Sequence, residues 1–320
     1  MIIVTGGAGF IGSCMVKHLN DQGMEDILIV DNLGRTPKWK NLVDLRYVDY
    51  VDKEEFIHQV NEGLSGDDIE AVIHLGACSS TTELDASYLM ENNYRYSQTL
   101  AIWCDKFAIR YIYASSAATY GNGEQGYADT CDINLLRPLN AYGYSKQAFD
   151  QWMLRQGFLE KSVGLKFFNV YGPREAHKDD MRSVIHKSYG QILNQGFVQL
   201  FKSHREGIAD GDQRRDFVYV ADACKVIDFF LHQNKKAGGL YNLGTGQARS
   251  FKDLVTATFM AMEREPNIQF IDMPQHLREK YQYFTQADMA KLQAAGYKEP
   301  FYSLEAGVKD YVQNHIMHEA

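Results

Sequence analysis

The stretch "VTGGAGFIGS" (4–13) constrains the fold more than any other part of the chain. It follows an apolar run, "IIVT" (2–5), and opens a segment with helical spacing. Gly6, Gly9 and Gly12 recur at G-x-x-G-x-x-G spacing. Glycines allow a tight turn and a close approach of backbone to a pyrophosphate, whose charge the helix N-terminus then meets. A glycine triplet alone is a weak signal. Here a strand precedes it, a helix follows it, and an acid, Asp31, ends the next apolar run about 20 residues on. That context predicts a dinucleotide-binding βαβ unit.

The rest of the chain keeps the rhythm. "ILIVD" (27–31), "RYVDY" (46–50), "AVIHLG" (71–76), "YIYASS" (111–116) and "LKFFNV" (165–170) read as strands. Several lack polar alternation, as strands covered on both faces do. Segments 11–22, 53–62, 93–107 and 142–158 read as helices between them. The alternation predicts an α/β fold, a Rossmann-type doubly wound parallel sheet. Beyond residue 170 the pattern loosens into a helix over 181–195, a polar loop over 201–215, and strand character at 216–220 and 239–246. The expected division is a dinucleotide-binding domain over 1–170, with 216–243 returning to it, and a smaller α/β substrate-binding domain over most of 171–320. The 19 residues 121–139 exceed ordinary loop length and read equally as a lid or as a loop with a short irregular helix.

Charge and cysteine content remove several classes. A net charge of −8 without a basic block disfavours nucleic acid. Five cysteines, Cys14, Cys78, Cys104, Cys131 and Cys224, form no C-x-x-C pair, so neither a disulfide framework nor a zinc site is expected. No ligand set for a metal is completed elsewhere. No signal peptide and no long apolar run are seen, which predicts a cytoplasmic protein away from membranes.

The chemistry is read from "YASSAATYG" (113–121) and "NAYGYSK" (140–146). Tyr142 lies four residues before Lys146, so a helix puts both on one face, whereas Tyr144 points elsewhere. An ammonium beside a phenol favours the phenolate, which predicts a lowered pKa and an acid/base usable near neutrality. Ser116 is placed to hydrogen-bond the reacting oxygen. Ala117 and Ala118 follow the serine; by the chain's resemblance to the extended short-chain dehydrogenase/reductases, whose dehydratases carry an Asp-Glu pair there, elimination of water is disfavoured. Asp31 favours the free ribose hydroxyl of NAD, while Lys38 and Lys53 are placed to reach the 2′-phosphate of NADP. From these residues the choice stays open. Cys78, in "HLGACSS" (74–80), reads as a small packed residue beneath the cofactor.

The glycine spacing and Tyr-x-x-x-Lys resemble the extended branch of the short-chain dehydrogenase/reductases. "NLVDL" (41–45), "GACSSTTE" (76–83), "NNYRYS" (92–97), "FFNVYGPRE" (167–175) with His177-Lys178, "RDFVYV" (215–220), "NLGTG" (242–246) and "YQYFTQADM" (281–289) narrow the match. Together they resemble the ADP-L-glycero-D-manno-heptose 6-epimerase family of nucleotide-sugar epimerases. The resemblance implies an isomerase with bound NADP, NAD being the second choice. It would interconvert the C6 epimers of the ADP-heptose used in lipopolysaccharide core through a transient 6-keto sugar. It implies Tyr142 and Lys178 as the two acid/base residues, with Lys146 binding the cofactor. Further cofactor contacts by the same resemblance are Phe10, Ile11, Asp31, Asn32, Lys38, Lys53, Leu75, Gly76, Ala77, Cys78, Ser79, Asn92 and Val170. Substrate contacts are Ser116, Asn169, Asp180, His186 or its neighbour Lys187, Phe201, Lys202, Ser203, His204, Arg215 and Tyr281. Arg215 suits a pyrophosphate clamp, since guanidinium forks match phosphate oxygens. A homo-oligomer, by resemblance a pentamer, is expected. Where the family pattern has a Gly-Ser pair after the lysine, this chain has Asp179-Asp180, and acids close by would raise the lysine's pKa. Another nucleotide-sugar 4-epimerase, or a non-catalytic dinucleotide-binding scaffold, remains as an alternative.

Overall fold

The computed structural model describes residues 1–278 and 281–318. Seven strands form one sheet in the order β10-β6-β5-β4-β1-β2-β3. They are β1 (Ile2–Thr5), β2 (Ile27–Asp31), β3 (Asp49–Asp52), β4 (Ala71–His74), β5 (Arg110–Ser116), β6 (Val163–Phe167) and β10 (Gly239–Leu243). Every pairing is parallel. All residues of β1, β4 and β6 are buried, as a sheet covered on both faces requires. The covering helices include α1 (Phe10–Asp21), α2 (Lys53–Asn61), α3 (Ala86–Leu89), α4 (Tyr96–Lys106) and α5 (Ala141–Arg155). The chain winds outward from β1 to β3, then restarts at β4 on the other side of β1. The crevice beyond the C-terminal ends of β1 and β4 is therefore the switch point, where such sheets take ligands.

A second layer continues from the end of β6. Strand β7 (Asn169–Tyr171) starts one residue later and pairs with β9 (Arg214–Tyr219), which pairs antiparallel with β11 (Ala248–Ser250). Strands β8 (Val198–Phe201) and β12 (Ile268–Ile271) form a separate parallel pair. Helices α6 (Val184–Gln195), α7 (Val220–Asp228) and α8 (Phe251–Ala261) accompany them. Among the described residues no helix is long and apolar enough to cross a membrane.

Three expectations shift. The strand expected at 46–50 forms at Asp49–Asp52, because pairing with β2 begins at Leu28 opposite Asp49. The run 165–170 is two strands: Phe168 donates its N–H to the Leu243 carbonyl, and the chain then leaves the large sheet. The helix expected at 93–107 is preceded by a π-helical turn, Met90–Arg95. The long loop contains one 3-10 turn, Ile133–Leu135, and is pinned to the body of the protein. Asn242 receives the Tyr120 hydroxyl at 2.7 Å and donates to the Tyr127 carbonyl at 2.7 Å, while its own N–H reaches Asp129 at 2.7 Å.

Candidate active site

The switch-point crevice is built by glycine. Gly6 sits at φ +69°, and a Cβ there would lie 2.6 Å from the Gly76 nitrogen. A Cβ on Gly12 would lie 2.0 Å from the Gly6 carbonyl oxygen. The turn after β1 is thus packed against the turn after β4 with no room for side chains. Helix α1 starts at Gly9 with no side-chain cap and no acid in its first turn. The amides of Phe10 and Ile11 stand at the positive end of the helix dipole, which fits a pyrophosphate.

At the end of β2, Asp31 is buried and already engaged. Its carboxylate accepts from the Ala8 amide at 2.9 Å, the Asn32 amide at 2.7 Å and the Lys38 ammonium at 2.6 Å. Lys53, at the start of α2, donates to Asn92 at 2.6 Å. Asp31, Asn32, Lys38, Lys53, Ala77 and Asn92 line one cavity of about 260 Å³. The loop Leu75–Ser79 crosses the floor. Asn93, inside the π-helical turn, grips it at both backbone groups of Cys78, each at 2.9 Å. Its amide also reaches Ser145 Oγ on α5 at 3.1 Å. π-helical turns recur at functional sites, and this one aims Asn93 at the seam between the Leu75–Ser79 loop and α5.

Helix α5 begins at Asn140, whose side chain caps the Gly143 amide. It carries Tyr142 and Lys146 one turn apart. Lys146 is 4% exposed and donates to the Ala114 carbonyl on β5 at 2.9 Å. Burial lowers its pKa to about 8, with Asp150 and Cys78 opposing. Tyr142 differs from expectation. Burial pushes its phenol up, and a hydrogen bond with Ser116 works against that. The expected lowering by Lys146 is not seen, and the Lys146 ammonium is turned to the Ala114 carbonyl. Cys78, half-buried, lies close enough to act on both groups.

Lys178 comes from the far side. It sits in a 3-10 turn, Ala176–Met181, after β7. Its ammonium lies 5.5 Å from the centre of the Phe10 ring. Burial lowers its pKa, with Glu175 opposing. Asp179 and Asp180 are exposed, and Asp179 pairs at 3.9 Å with Arg182. Asp179 also has φ +45°, in the region where glycine is strain-free, at the position where the family pattern has Gly. Asn41 ties this turn to the glycine loop, donating at 3.0 Å to the carbonyls of both Ala8 and Arg174. Glu175, 1% exposed, receives the Ser183 amide at 2.7 Å and the Tyr311 hydroxyl at 2.8 Å. Neither Asn41 nor Glu175 stands out in the sequence, because nothing local marks a buried polar residue as a tie between distant segments.

The remaining candidates divide. Arg215, on β9 and 7% exposed, lies 5.3 Å from the Tyr281 ring and 5.6 Å from the Phe251 ring. Its guanidinium is held by the carbonyls of Arg214 and Gln282. Phe201 to His204 leave the end of β8. Lys202 pairs with Asp272 at 3.4 Å, Ser203 donates its amide to Asp210 at 2.7 Å, and the His204 amide meets the Tyr283 hydroxyl at 3.2 Å. Tyr283 and Tyr281 are themselves edge to face at 5.5 Å. His204, Tyr281 and Arg215 are thus linked. Asn169 and Val170 lie on β7. His186 is half-buried in the first turn of α6, while Lys187 is exposed and donates to the Asp180 carbonyl at 2.6 Å.

Residues 2–244 match the NAD dependent epimerase/dehydratase family. The chain is 55% identical to the ADP-L-glycero-D-manno-heptose-6-epimerase of Nitratidesulfovibrio vulgaris, over 99% of this chain and 98% of that one. The crystal structure of the Helicobacter pylori enzyme of the same name superposes with a TM-score of 0.83 at 28% identity, covering 100% of this chain and 96% of that one. A UDP-glucose 4-epimerase of Thermus thermophilus in complex with NAD gives 0.78 at 27% identity, covering 100% and 99%. A dinucleotide crevice, a Ser-Tyr-Lys set and a half-buried lysine at 178 over one continuous match have one explanation: the chain belongs to the NAD dependent epimerase/dehydratase family and, within it, to the ADP-L-glycero-D-manno-heptose-6-epimerases.

Proposed function

We propose that two proton stations, Tyr142 and Lys178, carry this isomerase's reaction, the interconversion of the C6 epimers of ADP-glycero-manno-heptose. The cofactor is a nicotinamide dinucleotide. When bound, it would supply a reversible hydride acceptor for the sugar, so that turnover would need no external reductant. Tyr142 exchanges the C6 hydroxyl proton on one face, where the hydrogen bond with Ser116 favours its phenolate against the effect of burial. Lys178 serves the other face after the ketone has turned. Lys146 binds the cofactor, and Arg215 with Tyr281 and Phe201 to His204 holds the ADP end. The observation that carries the reading is Lys178 itself, a half-buried ammonium with a lowered pKa beside the start of α1. A surface lysine would have neither property.

The reading includes NADP. Asp31 is filled by donors from its own chain and so offers little to a free ribose hydroxyl. Lys38 and Lys53 line the same cavity and bring two positive charges to a 2′-phosphate. The family resemblance further supports a homo-oligomer and a place in lipopolysaccharide core synthesis. Incubating the purified protein with ADP-heptose, without added reductant, tests the activity. Mixed C6 epimers are expected by NMR, and mass spectrometry of released cofactor should find NADP. Consumption of NADPH during turnover, or recovery of NAD alone, contradicts the corresponding part of the proposal.

A further inference from the structure

Beneath the catalytic helix lies a buried ion pair to which the reaction as described gives no part. Lys166 on β6 is 1% exposed and Asp150 on α5 is fully buried. They meet at 2.8 Å. Two charges withdrawn from water cost several kcal/mol each before their attraction is counted, so their surroundings bear on why they are there. Asp150 receives the Tyr113 hydroxyl at 3.0 Å and the Ser115 hydroxyl at 2.7 Å. Both donors are on β5, two residues apart and so on one face of the strand. Lys166, opposite Ser115 in the sheet, also donates at 2.8 Å to Thr119 Oγ1. Thr119 in turn donates at 2.8 Å to the Ser116 carbonyl.

These bonds form a ladder between β5 and α5. At the top Ser116 meets Tyr142, one turn down Lys146 meets the Ala114 carbonyl, and one further turn down Asp150 meets Tyr113 and Ser115. Lys166 and Thr119 close the circuit back to Ser116. We infer that Asp150 and Lys166 are positioning residues of the reaction, a buried pair that locks the catalytic helix to the strand bearing Ser116. The inference rests on the roles given above to Tyr142, Lys146 and Ser116. The titratable groups that act on Lys146 are Asp150 from its own helix and Cys78 from the loop after β4, and Lys146 in turn acts on His74 of β4. Asp150 is the only carboxylate among them. Asp150 itself faces Tyr113 and Ser115 on β5, Lys166 on β6 and Tyr120 beyond β5.

The double variant Asp150→Asn/Lys166→Met removes both charges together and avoids an orphaned ion, so it should fold with a melting temperature near that of the parent. The expected result is a fall in kcat of roughly ten- to a hundredfold with KM for ADP-heptose unchanged. The high-pH limb of the kcat profile should also move to lower pH, because Lys146 loses the carboxylate that holds its proton on. Thr119→Val cuts the Lys166-to-Ser116 link without touching a charge, and serves if the double variant fails to fold. It should lower kcat, and Thr119→Ser should restore it. Unchanged kcat and an unmoved limb in the folded double variant overturn the inference. If the double variant does not fold, unchanged kcat in Thr119→Val overturns it. Tyr142→Phe separates the two levels. Activity surviving in that variant sinks the assignment of Tyr142, whereas an inactive Tyr142→Phe beside unaffected pair variants sinks this inference alone.

Discussion

Lys178 holds its ammonium over an aromatic ring rather than beside an acid, and this decides what it can do. A lysine at its ordinary pKa is a poor base near neutrality. Burial lowers this one, and the neighbouring aspartates are exposed and leave that shift standing. Lys178→Met is expected to lower epimerisation by roughly 10²–10⁴ while cofactor stays bound, as turnover assays and mass spectrometry of the intact protein would report. A variant with full turnover removes the two-base mechanism. Lys146 adds a pH dependence. If its charged form is the active one, activity is full below about 8 and falls as pH rises through that value. A flat kcat profile between pH 7 and 9.5 contradicts this. The same two lysines show what the sequence made legible. Tyr142 and Lys146 stand in a local pattern with a mechanical meaning. Lys178 stands in a turn whose burial depends on Phe10 and Asn41, more than 130 residues away in the chain, and no local pattern could carry that.

The elements were legible where the pattern was local and repetitive. β1, β2, β4 and the glycine turn follow from apolar runs and spacing alone. The break at Phe168 was not, because "LKFFNV" has no glycine or proline and its one turn-favouring residue, Asn169, itself begins a strand. Its split comes from competition between two sheets for the same backbone. The π-helical turn at Met90–Arg95 was likewise invisible, since one extra residue per turn leaves no trace in composition. Yet it aims Asn93 at Cys78 and Ser145. Asn93→Ala should leave both backbone groups of Cys78 unpaired and cost about 1–3 kcal/mol. The expected signs are a lower melting temperature and weaker cofactor retention on gel filtration. Retention equal to the parent's at equal occupancy removes Asn93 from the cofactor loop's support.

Across the whole molecule, the central sheet buries a histidine that should set its tolerance of acid. His74 is 1% exposed, bonded to Thr5 at 2.6 Å and Ser97 at 2.8 Å, and flanked by the rings of Tyr96 and Tyr111. Burial lowers its pKa from 6.5 to about 3. The unfolded chain therefore binds a proton that the folded one refuses between those values. Stability is complete above pH 6.5 and falls as pH drops, by up to about 4 kcal/mol at pH 3. Denaturant titrations of His74→Gln should show a shallower fall than the parent over that window, and parallel curves would exclude His74 as the cause. The passage from β6 to β7 bears on motion. A single residue, Phe168, separates a strand of the cofactor sheet from the strand that leads to Lys178. Such a join has no slack. On the proposed two-station mechanism, the fold spaces Tyr142 and Lys178 like two posts set in one slab and leaves the substrate, not the enzyme, to swing between them.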